Sequence, residues 1–196
     1  MKLLLTGFEP FLGEKINPSQ LLVDEVAKHR DFSWVETMIL PVSFKAAPQV
    51  LSRKIQEGNY KGVVMLGQAG GRDKISLERV ALNWVESRAA DETGFIPPTG
   101  PITATANAAY FCEWPLGEIK KQLEGKNIPS EVSFSAGAFV CNYLYFLMAA
   151  QTSIPSVFVH VPYLPDQTLN KPDQPSMDFS MMKSGIFEIL NFLKGI

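Results

Sequence analysis

Apolar residues fall along this chain in short runs, and stretches with helical spacing lie between them almost from end to end. Residues 2–6, 34–40, 61–66, 131–135 and 156–161 have the length and the β-branched or aromatic content of strands. The run inside 61–66 is apolar without alternation, as in a strand buried on both faces. Residues 75–83 read as one further strand. Asn17-Pro18 offers a capping side chain followed by proline at the first helical position, and predicts a helix to about residue 28. Ser43 starts a second helix that reaches about residue 57 and stops at Gly58-Asn59. Further helices are predicted over 115–123, about 139–151, and from Asp178 or Ser180 to about 194. Strands alternating with helices predict a three-layer α/β sandwich around a twisted, largely parallel mixed sheet. The stretch 86–109, with Pro97, Pro98, Gly100 and Pro101, reads as a long excursion. Loops of that length are uncommon unless they have a task.

Composition narrows the function. A chain of 196 residues, 46% hydrophobic and 19% charged, suits a single globular domain over 1–196. The net charge of −2 supplies no basic surface, so neither nucleic acid nor an acidic membrane is an expected partner. Thr6, Gly7 and Glu9 interrupt the apolar start Leu3-Leu4-Leu5, which therefore reads as a strand and not as a secretory or membrane segment. Two cysteines, Cys112 and Cys141, predict free thiols in a reducing, cytoplasmic compartment. With two histidines and two cysteines no zinc spacing exists.

The α/β reading brings two reactive side chains together. Cys141 falls in the first turn of the helix after strand 131–135. That helix runs back by about 20 Å at 1.5 Å per residue, and strand 156–160 climbs again by about 17 Å at 3.3 Å per residue. His160 therefore returns to the sheet edge where Cys141 begins. A helix start favours thiolate, as does a neighbouring imidazolium. On the residues alone Cys141 reads equally as a core thiol, His160 as a satisfied core histidine, and Cys112 as filler. His29 beside Lys28 and Arg30 is a solvated helix end.

Four blocks then carry a resemblance. They are Thr6-Gly7-Phe8-Glu9-Pro10-Phe11 with Asn17-Pro18-Ser19; Gly67-Gln68-Ala69-Gly70-Gly71-Arg72 with Ile75-Ser76-Leu77-Glu78-Arg79-Val80-Ala81-Leu82-Asn83; Ala136-Gly137-Ala138-Phe139-Val140-Cys141-Asn142; and Val159-His160-Val161-Pro162-Tyr163-Leu164-Pro165. In this order and spacing the chain resembles the pyroglutamyl peptidase I family of cysteine peptidases, also called pyrrolidone carboxyl peptidases. The resemblance implies removal of N-terminal pyroglutamate from peptides by a Cys141–His160–Glu78 triad through a thioester, without a cofactor. It places Arg88 near the reacting carbonyl and makes Phe8, Phe11, Phe139, Gln68 and Asn17 the substrate-binding candidates. It also implies a homotetramer, for which the aromatic segment 110–114 is a local hint, equally explicable as core. Three departures touch the rim: Ser133-Phe134-Ser135 before Ala136-Gly137, Tyr143 after Cys141-Asn142, and Ala89-Ala90-Asp91-Glu92 after Arg88.

Beside the resemblance, Glu78 alone reads as an exposed strand carboxylate and Arg88 as a surface arginine. The run 67–71 lacks the lysine and Ser/Thr of a phosphate loop. It reads as a loop whose backbone approaches the substrate, or as a structural turn. Two other functions stay open: a nucleoside phosphorylase or hydrolase holding phosphate at 67–72, and a noncatalytic pyroglutamyl-binding homologue.

Overall fold

A computed structural model describes residues 2–196. Its main sheet has six strands: β1 (Leu3–Phe8), β2 (Val35–Leu40), β3 (Gly62–Gln68), β4 (Ile75–Glu78), β7 (Ser130–Ser133) and β8 (Ser156–Val161). They lie in the order β2-β1-β3-β8-β4-β7. A two-stranded antiparallel ribbon, β5 (Val80–Leu82) with β6 (Ala109–Phe111), stands apart. Helices α1 (Pro18–Lys28), α3 (Leu116–Gly125) and α6 (Phe179–Lys194) cover one face, and α2 (Ala46–Glu57) and α4 (Val140–Gln151) the other. A one-turn helix, α5 (Pro165–Thr168), follows β8. The three layers and the mixed, mostly parallel sheet are those the periodicity predicts. Both β3 and β8 are buried throughout, as continuous apolar runs require.

Local chemistry sets the helix starts. Asn17 accepts from Ser19 N–H at 3.0 Å, which caps α1. Ser43 Oγ accepts from Ala46 N–H at 3.2 Å ahead of α2.

Two predicted features are corrected. The single strand over 75–83 is two strands in different sheets: the chain leaves the main sheet at Arg79, whose N–H bonds Ser133 O and whose O accepts from Cys112 N–H. The direction of β7 also differs from the one assumed for Cys141. β4 pairs parallel to β7 but antiparallel to β8, so β7 runs against β8. Cys141 therefore does not inherit its level from the end of β7; the link 134–139 carries the chain back to it. The other half of the argument stands, since twelve residues of α4 span about 18 Å and six of β8 about 20 Å.

The pairing of β1 with β3 stops at Thr6 and Met65. Beyond it β1 continues along β2 to Phe8, and β3 along β8 to Gln68. Phe8 N–H, which faces β3, donates instead to the buried Ser19 Oγ at 3.0 Å. Gly7 permits this closeness of β1 and α1, because a Cβ there would lie 2.6 Å from Ser19 O. A backbone atom cannot turn aside, so Gly7→Ala should cost about 1–3 kcal/mol in urea unfolding. Gly117→Ala, with nothing within 4 Å, is the control and should cost nothing.

Candidate active site

Glu78 ends β4 and has no solvent exposure, whereas an isolated strand carboxylate would be exposed. Its Oε1 accepts from two sides: His160 Nδ1 lies at 2.8 Å and Arg72 Nη1 at 2.8 Å. His160 is 2% exposed near the end of β8. With Nδ1 turned to Glu78, Nε2 is the nitrogen left for another partner. The Tyr145 hydroxyl on α4 donates to Glu78 O at 3.2 Å and fixes the strand end.

Cys141 reaches the same place from α4. Gly67 is the register partner of His160. A Cβ on Gly67 would lie 3.2 Å from Cys141 Sγ and 2.8 Å from the Phe158 ring. The missing side chain of Gly67 is thus the space occupied by the thiol and that ring. The run 67–71 is accordingly not one loop: Gly67 and Gln68 finish a strand, and only the following residues turn. Asn142, fully buried, bonds Leu82 N–H and O through its amide and ties the first turn of α4 to β5.

Burial dominates the protonation of this group. It pushes the Cys141 thiol up to about 12, the Glu78 charge adding to the effect and Arg72 opposing it. It lowers His160 below the usual imidazole range, with partial relief from Glu78. For Glu78, burial acts upward, but the hydrogen bond and charge of His160, with help from Arg72, hold it below the usual carboxylate range. Burial therefore works against both the thiolate that a helix start favours and the imidazolium. A helix start contributes only about 0.3–1 kcal/mol, too little against desolvation of a thiolate.

Beside the thiol lies a small cavity. Phe8, Phe11, Phe139, Asn17 and Gln68, the five residues singled out in the sequence, all line it together with Cys141. Val42 and Val140, which the sequence reading did not select, complete the wall. Phe11 and Phe139 stack with centroids 6.4 Å apart, and Phe44 meets Phe139 edge-on at 5.2 Å. Asn17 is largely committed: Oδ1 accepts from Ser19 N–H and Oγ–H, and Nδ2 donates to Glu9 O. Gln68 Oε1 accepts from Gln167 Nε2 at 2.8 Å.

The backbone of Gln68 is the freer group. Val63 and Ala69 N–H point to β8, so by strand alternation Gln68 N–H and C=O point to β1. There the β1–β3 ladder has already ended. The gap between the strands thus offers one donor and one acceptor side by side at the cavity.

Arg88 does not join this group. It is exposed and takes part in no hydrogen bond or ion pair among the described residues. Arg72 is the cation at Glu78, and it also reaches Ser135 O at 2.8 Å. The excursion after Arg88 is an ordered wall. Asp91, 5% exposed, accepts from Phe44, Thr93 and Phe95 N–H and from the Thr93 hydroxyl. These bonds outweigh burial and hold its pKa near 2. Glu92 N–H donates to Val42 O, and Leu12 N–H to Glu92 Oε1, so the altered rim is stitched to the cavity lining. Of the other departures, Phe134 is 69% exposed and Tyr143 packs edge-on against Phe44.

Comparison with known proteins agrees with this arrangement. The sequence profile of the pyroglutamyl peptidase family matches residues 1–190. The chain is 39% identical to a pyrrolidone-carboxylate peptidase of Gloeobacter violaceus, covering 99% of this chain and 97% of that protein. A Bacillus cereus pyrrolidone-carboxylate peptidase is 40% identical over 93% of this chain and 88% of its own length. The crystal structure of a pyrrolidone carboxyl peptidase from Fervidobacterium islandicum superposes with a TM-score of 0.93 at 35% identity, over 100% of this chain and 99% of that one. Pyroglutamyl peptidase I from Bacillus amyloliquefaciens gives 0.90 at 34% identity, over 95% and 91%. By this similarity over nearly its whole length the chain belongs to the pyroglutamyl peptidase family, a family of cysteine-type omega peptidases.

Proposed function

We propose that this chain hydrolyses the bond after an N-terminal pyroglutamyl residue, with Cys141 as nucleophile, His160 as base and Glu78 as the orienting acid. The observation that carries this reading is the cavity itself. It has the thiol on one wall, phenylalanine faces on others, and the free Gln68 N–H and C=O between β1 and β3.

A pyroglutamyl ring is flat and uncharged, with one N–H and one carbonyl. The Gln68 C=O accepts the ring N–H, and the Gln68 N–H donates to the ring carbonyl. Phe8, Phe11 and Phe139 cover the faces. Asn17 keeps the mouth in shape through its cap and its bond to Glu9 O. The ring so held presents its exocyclic carbonyl carbon to Cys141 Sγ.

His160 Nε2 takes the thiol proton as Sγ attacks that carbon. The unpaired N–H groups of the first turn of α4 face the developing oxyanion. Arg88, exposed on the rim, is the candidate for its solvent side. The C–N bond breaks, and His160 returns the proton to the leaving amine. A thioester remains on Cys141. Water, losing its proton to His160, hydrolyses it to pyroglutamic acid and free thiol. Glu78 holds Nδ1–H throughout and stabilises the transient imidazolium.

The wider setting follows the same reading: a homotetrameric enzyme of a reducing cytoplasm, taking pyroglutamyl peptides as substrates. Both cysteines are free, and among the described residues no helix is long and apolar enough to cross a membrane. Phe111 on the ribbon is 67% exposed, an aromatic surface suited to a second copy. Cys112 and Trp114 beside it are buried.

Cys141→Ala and His160→Ala should leave almost no release of a reporter amine from a pyroglutamyl amide, while Cys112→Ala should turn over normally. Iodoacetamide should abolish activity in step with labelling of Cys141, located by peptide mass. Activity lost in step with Cys112 labelling overturns the assignment.

Rate also follows pH in a definite direction. Catalysis requires neutral His160, and burial lowers its pKa, so the neutral form persists below the ordinary value of about 6.5. The acid limb of kcat/KM should therefore lie below pH 6.5, and Glu78→Gln should lower kcat with little change in KM. A limb at 7 or above contradicts the buried, neutral pair.

Selectivity tests the cavity. A prolyl amide lacks the ring carbonyl, leaves the Gln68 N–H unpaired, and buries a charged amine. It should react slower by a factor of roughly 10⁴ or more than the pyroglutamyl amide with the same leaving group. Comparable rates on the two amides would falsify the proposed ring recognition.

A further inference from the structure

Arg72 lies outside the triad and the cavity lining, yet it touches both arms of the site. Nη1 donates to Glu78 Oε1 at 2.8 Å, and Nη2 donates to Ser135 O at 2.8 Å. Glu78 belongs to β4, whereas Ser135 belongs to the link that leads to Phe139 and Cys141. One planar fork therefore spans the acid and the approach to the nucleophile, a span suited to guanidinium geometry. The neighbouring arginines are engaged otherwise: Arg79 Nη1 donates to Cys112 O, and Arg88 is exposed. Among the described residues, Glu78 is ion-paired only with Arg72 and His160.

The geometry assigns Arg72 a need that the triad alone leaves unmet. A fully buried carboxylate facing a neutral imidazole has no cation to hold its charge, and such a group takes up a proton instead. A protonated Glu78 cannot stabilise the imidazolium. A Glu78 free to rotate could turn Oε2, which is buried without a partner, in place of Oε1. We propose that Arg72 is a positioning residue of the reaction, keeping Glu78 ionised with Oε1 toward His160 and pinning the link that carries Phe139 and Cys141. This rests on the hydrolytic reading above.

Arg72 also disfavours one more positive charge at the site. Without it the Glu78–His160 pair gains a proton at higher pH, whichever of the two groups takes it. The neutral imidazole needed for attack is then lost at higher pH, so the acid limb moves up. Because Arg72 favours the thiolate as well, the onset of Cys141 alkylation moves up too.

The test compares wild type, Arg72→Gln and Arg72→Lys. It measures kcat, KM and the pH profile on a pyroglutamyl amide, and the pH dependence of Cys141 alkylation by iodoacetamide without substrate. Arg72→Gln should lose about tenfold to a hundredfold in kcat, keep KM within about threefold, and shift both pH limbs upward by about one unit. Arg72→Lys keeps the charge but not the fork, so it should hold both limbs near the wild-type position and recover only part of kcat. A kcat for Arg72→Gln within threefold of wild type, or limbs that do not move, overturns the proposal. If Arg72→Gln does not fold, Arg72→Lys decides: wild-type kcat refutes the pinning, and a lower kcat at unchanged limbs supports it. Wild-type inactivity on the amide would instead count against the hydrolytic reading, and the alkylation limb then judges the role of Arg72 alone.

Discussion

A carboxylate with no solvent exposure stands at the end of β4, and the arrangement of the site follows from what that burial demands. Glu78 in an apolar surround would cost several kcal/mol as an unpaired charge. The fold answers with His160 from β8 and Arg72 from the turn after β3, both on one oxygen. This is why β4 is inserted antiparallel beside β8: in that register Ser76 faces His160 and Glu78 faces Phe158. The carboxylate reaches back along the strand to the imidazole, and takes up Nδ1. A parallel β4 would bring its end to the same edge as that of β8 and set Glu78 among the loops, where water would screen it.

The second constraint is a missing piece of sheet. Two parallel strands that run on without pairing normally leave unsatisfied backbone, which buried structure avoids. Here the Phe8 N–H is satisfied by Ser19 Oγ, and Ser19 in turn bonds Asn17, the cap of α1. The α1 start thereby holds β1 off β3 beside Gly67, whose register partner is His160 and whose missing side chain leaves room for the Cys141 thiol. Under the hydrolytic reading the substrate ring replaces the missing strand neighbour, and specificity arises from backbone geometry more than from side chains. The phenylalanines contribute shape, and the stitched excursion around Asp91 keeps Phe44 against Phe139 so that this shape persists.

Much of this was legible in the sequence, and the failures have physical causes. The strands β3 and β8 announce themselves as apolar runs because both faces are buried, and Asn17-Pro18 announces α1 because capping chemistry is local. Arg79 was invisible as a break because apolar residues continue on both sides of it, and only nonlocal pairing divides the strand. The reversed β7 was missed for the same reason: strand direction is decided by a partner that the local pattern does not name. The five lining candidates came from the resemblance and meet at one cavity. Arg72 was quoted in its block but given no role, because nothing local marks which arginine meets a buried carboxylate, although it lies six residues before Glu78. Asp91 did carry a signal, since Asp-x-Thr-Gly is a sequence for an aspartate-bonded turn. The reading treated that stretch only as a departure at the rim.

At the thiol, position and burial act in opposite directions. A helix start beside a histidine suggests a standing thiolate, and an exposed site of that design would hold one. The pocket beside the thiol is lined by phenylalanine and valine side chains, and this low-polarity surround disfavours separated charges. Under the hydrolytic reading the ion pair of thiolate and imidazolium is formed only as Sγ attacks, when the developing oxyanion meets the N–H groups of α4 and the imidazolium meets Glu78. Charge then appears only where the protein has dipoles and counter-charges already oriented to receive it. Under that reading, a thiol kept neutral until a ring fills the cavity is also poorly disposed to react with oxidants or unrelated electrophiles. On the hydrolytic reading, selectivity and protection of the nucleophile thus have one cause, the apolar burial that raises the Cys141 thiol and lowers His160.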